Sequence, residues 1–108
     1  MNAGAPLETL EDLLSVDKLV HEPARLSIVA LLSVVQRADF VFIQSQTGLT
    51  AGNVSSHITK LAKAGYVEVD KRFVDNRPKT MLSLTPNGRA ALAMYLHTMR
   101  MVLAELGG

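Results

Sequence analysis

The chain has 108 residues, 48% of them hydrophobic, and a formal net charge of only +1. This size is typical of one domain with one hydrophobic core, so we treat residues 1–108 as a single domain. The lack of cysteine excludes disulfides and thiolate metal sites and favours a reducing cytoplasm, and the longest apolar run, residues 28–35, is too short to span a membrane.

The N-terminal quarter of the chain predicts two short helices. Residues 1–6 (MNAGAP) have turn composition and are expected to be loose. Leucines at steps of three and four over residues 7–14, with acids between them, predict an amphipathic helix whose apolar stripe needs a partner. Ser15 is a candidate cap for a second short helix over residues 16–21.

Two further helices are predicted before the middle of the chain. Pro23 suits the first turn of a helix, because its missing N–H has no partner there, and residues 24–36 are rich in helix formers and apolar residues. Asp39 can cap the next helix, residues 40–46, and Gly48 can end it in the left-handed conformation.

The helix predicted for residues 51–64 has an apolar side and a polar side. Thr50 can cap it and Gly65 can close it. At about 100° per residue, the stripe that faces the core is formed by Ala51, Val54, Ile58, Leu61 and Ala62. The opposite face is polar and carries no acid, and its residues are Gly52, Asn53, Ser56, Thr59, Lys60 and Lys63.

Beyond this helix the period of the pattern changes from helical to two, which indicates strands. Val67 and Val69 alternate with charged residues, and Leu82 and Leu84 show the same alternation nearer the C-terminus. Residues 75–78 (DNRP) carry turn chemistry between the two runs. We therefore predict an antiparallel hairpin with a basic tip.

The last predicted helix begins at Thr85 and Pro86, a cap followed by a first-turn proline, and runs to about Leu106. Its apolar residues could be ordinary core, but together with the N-terminal leucines they form a surplus of apolar surface. We prefer a dimer interface, which would bury about 1,000 Å² or more. The predicted interface residues are Leu7, Leu10, Leu14, Tyr95, Leu96, Met99, Val102, Leu103 and Leu106.

The order of these elements predicts a mainly α fold with a small two- to three-stranded antiparallel β-wing, a winged helix-turn-helix. In this fold a short helix braces a longer one, whose outward face can enter a DNA major groove. The charge distribution agrees with a nucleic-acid partner. Residues 57–80 contain six bases and three acids, whereas residues 1–24 contain one base and five acids.

Three parts of the sequence resemble the MarR/ArsR-like winged-helix transcriptional regulators of bacteria and archaea. They are the run TGLTAGNVSSHITKLAKAGYVEV, the wing residues Asp75 and Arg77, and the closing LTPNGRAAL. The resemblance covers about residues 16–96.

The resemblance implies a recognition helix over residues 50–64, a wing over residues 66–85 and a homodimer. Wings of the MarR type commonly read Asp-Arg-Arg, and Asn76 replaces the middle base here, which implies a lower affinity of the wing for DNA. Metal sensors of the ArsR type use cysteines, which this chain lacks, so metal sensing of that kind is unsupported.

The candidate DNA contacts lie on the recognition helix and on the wing. Side chains such as Asn, Ser and Thr can bond base edges or phosphate oxygens, and bases can pair with phosphates. On the helix the candidates are Thr50, Gly52, Asn53, Ser55, Ser56, His57, Thr59 and Lys60. On the wing they are Lys71, Arg72, Asn76, Arg77 and Lys79.

Each of these signals also has a simpler explanation. Helix-surface lysines such as Lys63 are often only solvated, and wing bases can merely keep an edge strand from pairing. His57 is equally well explained by a packed, hydrogen-bonded side chain. Gly52 costs a helix roughly 1 kcal/mol relative to alanine, and both a close approach to phosphate and a frayed helix end would account for it.

The expected function is DNA-binding transcriptional regulation, with repression as the simplest outcome. The expected partners are double-stranded DNA and a second copy of the chain, with no membrane partner, and a small-molecule effector is left open. A winged-helix protein-interaction module is the alternative. The sequence has no nucleophile elbow, phosphate-binding glycine loop or metal-ligand spacing for His21 and His97, so we expect no catalysis, cofactor or metal.

Overall fold

The computed structural model describes residues 5–107, which form five helices and one antiparallel sheet. In chain order the elements are α1 (Ala5–Ser15), α2 (Pro23–Val35), β1 (Arg37–Asp39), α3 (Phe40–Thr47), α4 (Ala51–Lys63), β2 (Val67–Val74), β3 (Arg77–Leu84) and α5 (Pro86–Glu105). The predicted mainly α fold with a small β-wing is therefore confirmed. Among the helices described, none has both the length and the apolar character needed to cross a membrane.

Three helices begin with the caps that the sequence predicts. A carboxylate oxygen of Asp39 accepts the N–H of Phe42 at 2.7 Å, and the hydroxyl of Thr50 accepts the N–H of Asn53 at 3.1 Å. Thr85 caps α5 in the same way. Each cap satisfies a donor that the first turn of a helix leaves without a partner. The starts of α3, α4 and α5 are thus fixed by local side-chain chemistry.

The N-terminal region differs from the prediction. α1 already begins at Ala5, and the expectation of loose chain over residues 1–4 lies outside the described residues. The second short helix, predicted for residues 16–21, is wrong, because this segment is a turn. Asp17 accepts the backbone N–H groups two and three residues later, at 2.9 and 3.3 Å, which gives the backbone an alternative to a helix. Ser15 donates its hydroxyl back to a carbonyl of α1 at 2.8 Å and caps nothing.

The sheet has the strand order β1-β3-β2, and all its pairs are antiparallel. The sequence pattern did not locate β1, because three residues are too few to show an alternation. Ala38 in this strand is paired with Leu82 and is buried. β1, which lies between α2 and α3 in the chain, is therefore hydrogen-bonded to the base of the wing.

β2 and β3 form a hairpin with a two-residue turn. Asp75 and Asn76 both have positive φ, 53° and 62°, as a tight type I′ turn requires, and Asp and Asn tolerate this conformation. The predicted turn over residues 75–78 is therefore too long. Arg77 and Pro78 are the first residues of β3, opposite the end of β2.

The main core lies between α2, α3, α4, α5 and the sheet. Its most buried large side chains are Val20, Ile28, Val29, Leu32, Ile43, Val54, Leu61 and Leu82. α5 sits against the start of β2 through Gly88, where a Cβ would lie 2.1 Å from the carbonyl oxygen of Tyr66. The first turn of α5 can lie this close to the strand only with glycine at that position.

α1 packs against α5, and its contacts with other elements are minor. The molecule measures 64 × 25 × 21 Å with a radius of gyration of 16.5 Å, whereas a compact domain of this length would have a radius of about 13 Å. The elongated shape leaves much of the surface of this helix pair uncovered.

Candidate nucleic-acid interface

α4 presents the polar surface that the sequence predicts. Val54, Ile58 and Leu61 are buried, and the helix contains no acid. Ala51, which the helical spacing predicts on the inward stripe, is exposed, since the first turn of α4 extends past the core. The exposed candidates are Thr50, Gly52, Asn53, Ser55, Ser56, Thr59, Lys60 and also Lys63.

The first turn of α4 has open space around Gly52. A Cβ at this position would meet no atom of the described chain within 4 Å, in contrast to Gly88. The cap that Thr50 provides just before the helix holds this turn in place, which does not fit a frayed end. Packing among the described residues therefore gives no reason for glycine at position 52.

His57 is the one helix candidate that is largely covered, with 18% of its side chain exposed. Nη1 of Arg25 lies 3.2 Å from Nδ1 of His57. A guanidinium can only donate, so Nδ1 of His57 is the acceptor in this hydrogen bond. The histidine is thus packed and hydrogen-bonded, and a direct contact between His57 and DNA stays a prediction.

Glu22 completes this contact between α2 and α4. Its Oε2 lies 3.7 Å from the guanidinium of Arg25 and 3.9 Å from Nδ1 of His57. The same carboxylate caps α2 by accepting the N–H groups of Ala24 and Arg25 at 2.7 and 3.1 Å. Burial raises the pKa of Glu22, but these hydrogen bonds and the neighbouring guanidinium of Arg25 outweigh it, so the net pKa is lowered.

Alternation along the hairpin divides the wing into two faces. The inner face lies on the same side as buried Val67, Leu82 and Leu84, and it continues outward through Val69, Lys71, Phe73, Pro78 and Thr80. The outer face consists of Glu68, Asp70, Arg72, Val74, Arg77, Lys79, Met81 and Ser83.

The outer face carries ion pairs that reduce its positive charge. The guanidinium of Arg72 is bonded to the carboxylate of Asp70, and Nη2 of Arg37 lies 4.0 Å from the same carboxylate. Nζ of Lys79 lies 3.3 Å from Oδ2 of Asp39 at the base of the wing. Arg37 and Asp39 come from β1, whose pairing with the wing the sequence did not reveal, so these contacts were not predicted.

The remaining wing candidates are exposed and unpaired. Within residues 5–107 neither Lys71 nor Arg77 has an acidic partner, and Asn76 occupies the turn. Lys71 lies on the inner face, where a cleft of about 610 Å³ separates the wing from α4. Ser55, Thr59 and Lys63 line the cleft on the helix side. Candidates from the helix and from the wing thus border the same cleft.

The predicted dimer residues fall into two groups. Tyr95 and Val102 are buried within the single chain, and Met99 is partly covered. Tyr95 also bonds its hydroxyl to Nδ1 of His21 at 2.7 Å. The other predicted side chains are exposed: Leu10, Leu14, Leu96, Leu103 and Leu106. The side chain of Leu7 lies outside the described residues.

Comparison with known proteins identifies the class of this domain. A family model for a winged helix DNA-binding domain matches residues 24–103. An uncharacterized protein of Methanocaldococcus jannaschii is 32% identical over 80 residues, which cover 74% of this chain and 87% of that protein.

Solved structures agree with this assignment. A transcriptional regulator homologue from Pyrococcus horikoshii OT3 has a TM-score of 0.84 and 31% identity, over 92% of this chain and 97% of its own. A mutant MarR from E. coli has a TM-score of 0.69 over 97% of this chain and 82% of its own, and at 12% identity this likeness shows the fold alone. The chain therefore belongs to the winged helix DNA-binding domain family, and its structural neighbours are MarR-family transcriptional regulators.

Proposed function

We propose that the chain is a non-enzymatic transcriptional regulator that binds double-stranded DNA as a homodimer. α4 enters the major groove, and the wing contacts the neighbouring backbone or minor groove. Repression by occlusion of a promoter is the simplest outcome of such binding. Because DNA is the proposed partner, the cytoplasm is the compartment in which we expect it to act.

The observation that carries the proposal is the exposed face of α4. A helix about 10–12 Å wide fits a major groove about 12 Å wide. Asn53 and Ser56 are exposed on α4, and their amide and hydroxyl groups can bond base edges. The absence of acids along α4 means that no carboxylate would face a phosphate there.

The wing supports a second contact with the duplex. Lys71 and Arg77 have no acidic partner within the described residues, so they can neutralise phosphates without first breaking an ion pair. Arg72 and Lys79 are bonded to carboxylates and are weaker candidates. Arg77 follows the turn directly and is the side chain that we assign to the minor groove.

The exposed leucines of α1 and α5 support the homodimer. Leu14 of α1 and Leu103 of α5 are 74% and 55% exposed, respectively, on this outlying helix pair. Burying this surface against a second copy would remove the apolar groups from water. This burial stabilises the dimer by about 25 cal/mol of free energy per Å² of apolar surface. A two-fold dimer would place its two copies of α4 on half-sites one helical turn apart, about 34 Å.

A salt series with fluorescence anisotropy on random duplex DNA tests DNA binding. A regulator with several phosphate contacts should lose affinity steeply as salt rises, with a log–log slope of about −0.9 for each phosphate neutralised.

Exposed apolar wing residues such as Phe73, which is 77% exposed, favour a protein-interaction module as the second candidate function. That candidate predicts a flat response or no binding at all.

A pair of added charges tests the orientation of α4. Ser56→Glu should abolish DNA binding, because the new carboxylate would face the groove. Ala90→Glu adds the same charge on α5, which packs mainly against α1, α2 and β3, and should leave binding nearly unchanged. Wild-type affinity in the Ser56→Glu variant would refute the proposed docking of α4.

A further inference from the structure

We propose that Phe73 is an apolar wedge at the wing tip, which presses into the minor groove and favours DNA sites with a flexible pyrimidine–purine step beneath the wing. This inference rests on the proposed function and adds a specificity-determining residue to it. Phe73 was not among the residues predicted to contact DNA.

The first observation is the exposure of Phe73. Its side chain is 77% exposed, although it lies within β2 and not in a loop. Its cross-strand partner on the inner face is Pro78, which is also exposed. Neither residue belongs to the core cluster of the domain. Among the described residues the ring thus takes no part in the core, and leaving it in water forgoes the gain from burial.

The second observation is the charge around the ring. Lys71 precedes Phe73 on the inner face, and Arg77 lies at the next cross-strand pair, on the outer face of the same tip. Neither base is paired with an acid within residues 5–107. An apolar ring at a hairpin tip that carries an unpaired base on each face matches the minor groove of DNA, where sugars and base faces lie between two rows of phosphates. A partner protein with an apolar surface alone would leave both bases uncompensated.

The third observation is the reach of the hairpin. Val69 lines the cleft beside α4, and Phe73 follows four residues later on the same face. At about 3.3 Å per residue this places Phe73 about 13 Å farther out. The distance is comparable with the width of a major groove, about 12 Å. With α4 in that groove, the wing tip can therefore cross one backbone and meet the adjacent minor groove.

The consequence of a wedge is a preference for particular base steps. Apolar side chains that enter the minor groove partly unstack a base step. TA and CA/TG steps unstack most easily, so they would lower the free-energy cost of binding. Phe73 would thereby contribute sequence preference without a hydrogen bond to any base.

The test compares Phe73→Ala with Val74→Ala, two neighbouring positions on opposite faces of β2. Duplexes are first selected from a random pool by the wild-type protein. The selected sites should carry a TA or CA/TG step at a fixed distance from the sequence read by α4. Phe73→Ala should lower affinity for them about tenfold, on the scale of base–aromatic stacking. The salt slope should stay unchanged, since no charge is lost.

Val74→Ala should bind like the wild type, and Phe73→Trp should retain the affinity. A 2-aminopurine placed at the flexible step reports unstacking directly, and its fluorescence should rise with wild-type protein but not with Phe73→Ala. Thermal unfolding followed by circular dichroism should be the same for wild type and Phe73→Ala, because the ring is exposed.

The possible failures are distinguishable. Selection of no DNA by the wild-type protein would overturn both this inference and the proposed function. Steep, salt-dependent binding with equal affinities for Phe73→Ala and Val74→Ala would overturn the wedge alone. A preserved 2-aminopurine signal in the Phe73→Ala variant would do the same.

Discussion

Arg25 of α2 donates a hydrogen bond to His57 of α4, with 3.2 Å between Nη1 and Nδ1. The same guanidinium uses Nε to donate to the carbonyl of Leu19 at 2.6 Å and is only 12% exposed. Leu19 belongs to the turn that bonds to α5 through His21 and Tyr95. Arg25 therefore connects α4 to the segment that also contacts α5.

The first prediction concerns this contact. Arg25→Met and His57→Ala should each destabilise the fold, because each leaves a half-buried polar group without its partner. The double variant should lose less than the sum, with a coupling free energy of about 0.5–3 kcal/mol measured by urea unfolding. Lys60→Ala, on the exposed face of the same helix, is the control and should add to Arg25→Met without coupling. Additive effects of Arg25→Met and His57→Ala would show that the contact contributes nothing.

The second prediction separates stability from DNA binding at Gly52. Because a Cβ there meets open space, Gly52→Ala should stabilise the fold by up to about 1 kcal/mol through helix propensity. The added methyl would hold the first turn of α4 away from phosphate, so DNA affinity should fall. Ser27→Ala, at an exposed position of α2, controls for helix propensity and should leave affinity unchanged. A Gly52→Ala variant with unchanged affinity would leave the glycine without a role in binding.

The third prediction is that alanine in place of Gly88 destabilises the fold, which is the opposite of the effect expected at Gly52. A methyl group at this position would lie 2.1 Å from the carbonyl oxygen of Tyr66, so α5 would have to move away from β2. Gly88→Ala should therefore destabilise the fold, by about 1–3 kcal/mol on the scale of overpacked cores. Thermal unfolding of the Gly52→Ala and Gly88→Ala variants should move in opposite directions, and a shift of both in the same direction would contradict the packing described for these two turns.

The fourth prediction concerns acid and Asp39. The N–H of Phe42 lowers the pKa of Asp39 below its ordinary 3.8, with Lys79 assisting and burial opposing. A carboxylate with a lowered folded pKa stabilises the fold above its unfolded pKa, and this contribution is lost as pH falls through the folded value. Asn is an equally good cap but does not titrate.

Urea unfolding of wild type and Asp39→Asn at a series of pH values measures this contribution. The wild-type protein should be the more stable of the two at neutral pH, and its advantage should shrink below about pH 4. The variant also removes the carboxylate beside Lys79, so its DNA affinity should rise and its salt slope should steepen. A stability difference that is constant with pH would show that the Asp39 carboxylate adds nothing through its charge.

The parts of the fold that the sequence predicted depend on local chemistry. Thr50 caps a helix through a bond to a residue three positions away, and the polar face of α4 follows from helical spacing alone. The tight turn at Asp75 and Asn76 belongs to the same class, although it is two residues shorter than predicted. Such features can be predicted from the sequence because the interacting residues lie within a few positions of each other.

The parts that the sequence did not predict depend on long-range contacts. Arg25 and His57 are 32 residues apart, and no periodic pattern connects them. The ion pair between Asp39 and Lys79 needs β1 to pair with β3, and a three-residue strand has no detectable alternation. Phe73 follows the alternation with a period of two. The alternation alone does not distinguish a buried strand residue from an exposed one, because it does not show where the hairpin extends beyond the core.

The last prediction concerns the dimer. Leu103 is 55% exposed on α5, and Met94 on the same helix is 68% exposed. The two residues are nine positions apart, so at about 100° per residue they point in opposite directions. Leu103→Arg and Met94→Arg therefore add the same charge at equally open positions on opposite sides of one helix. Only the first lies on the face that also carries Leu96, which we assign to the interface.

Sedimentation at several protein concentrations distinguishes the two faces of α5. Leu103→Arg should halve the mass of the particle, because an unpaired guanidinium at the centre of an apolar interface loses its hydration without gaining a partner. Met94→Arg should leave the mass at that of a dimer. DNA affinity of Leu103→Arg should fall as well, since a monomer can occupy only one half-site. If Met94→Arg splits the particle while Leu103→Arg does not, the interface lies on the other side of α5. If neither does, α5 takes no part in the interface.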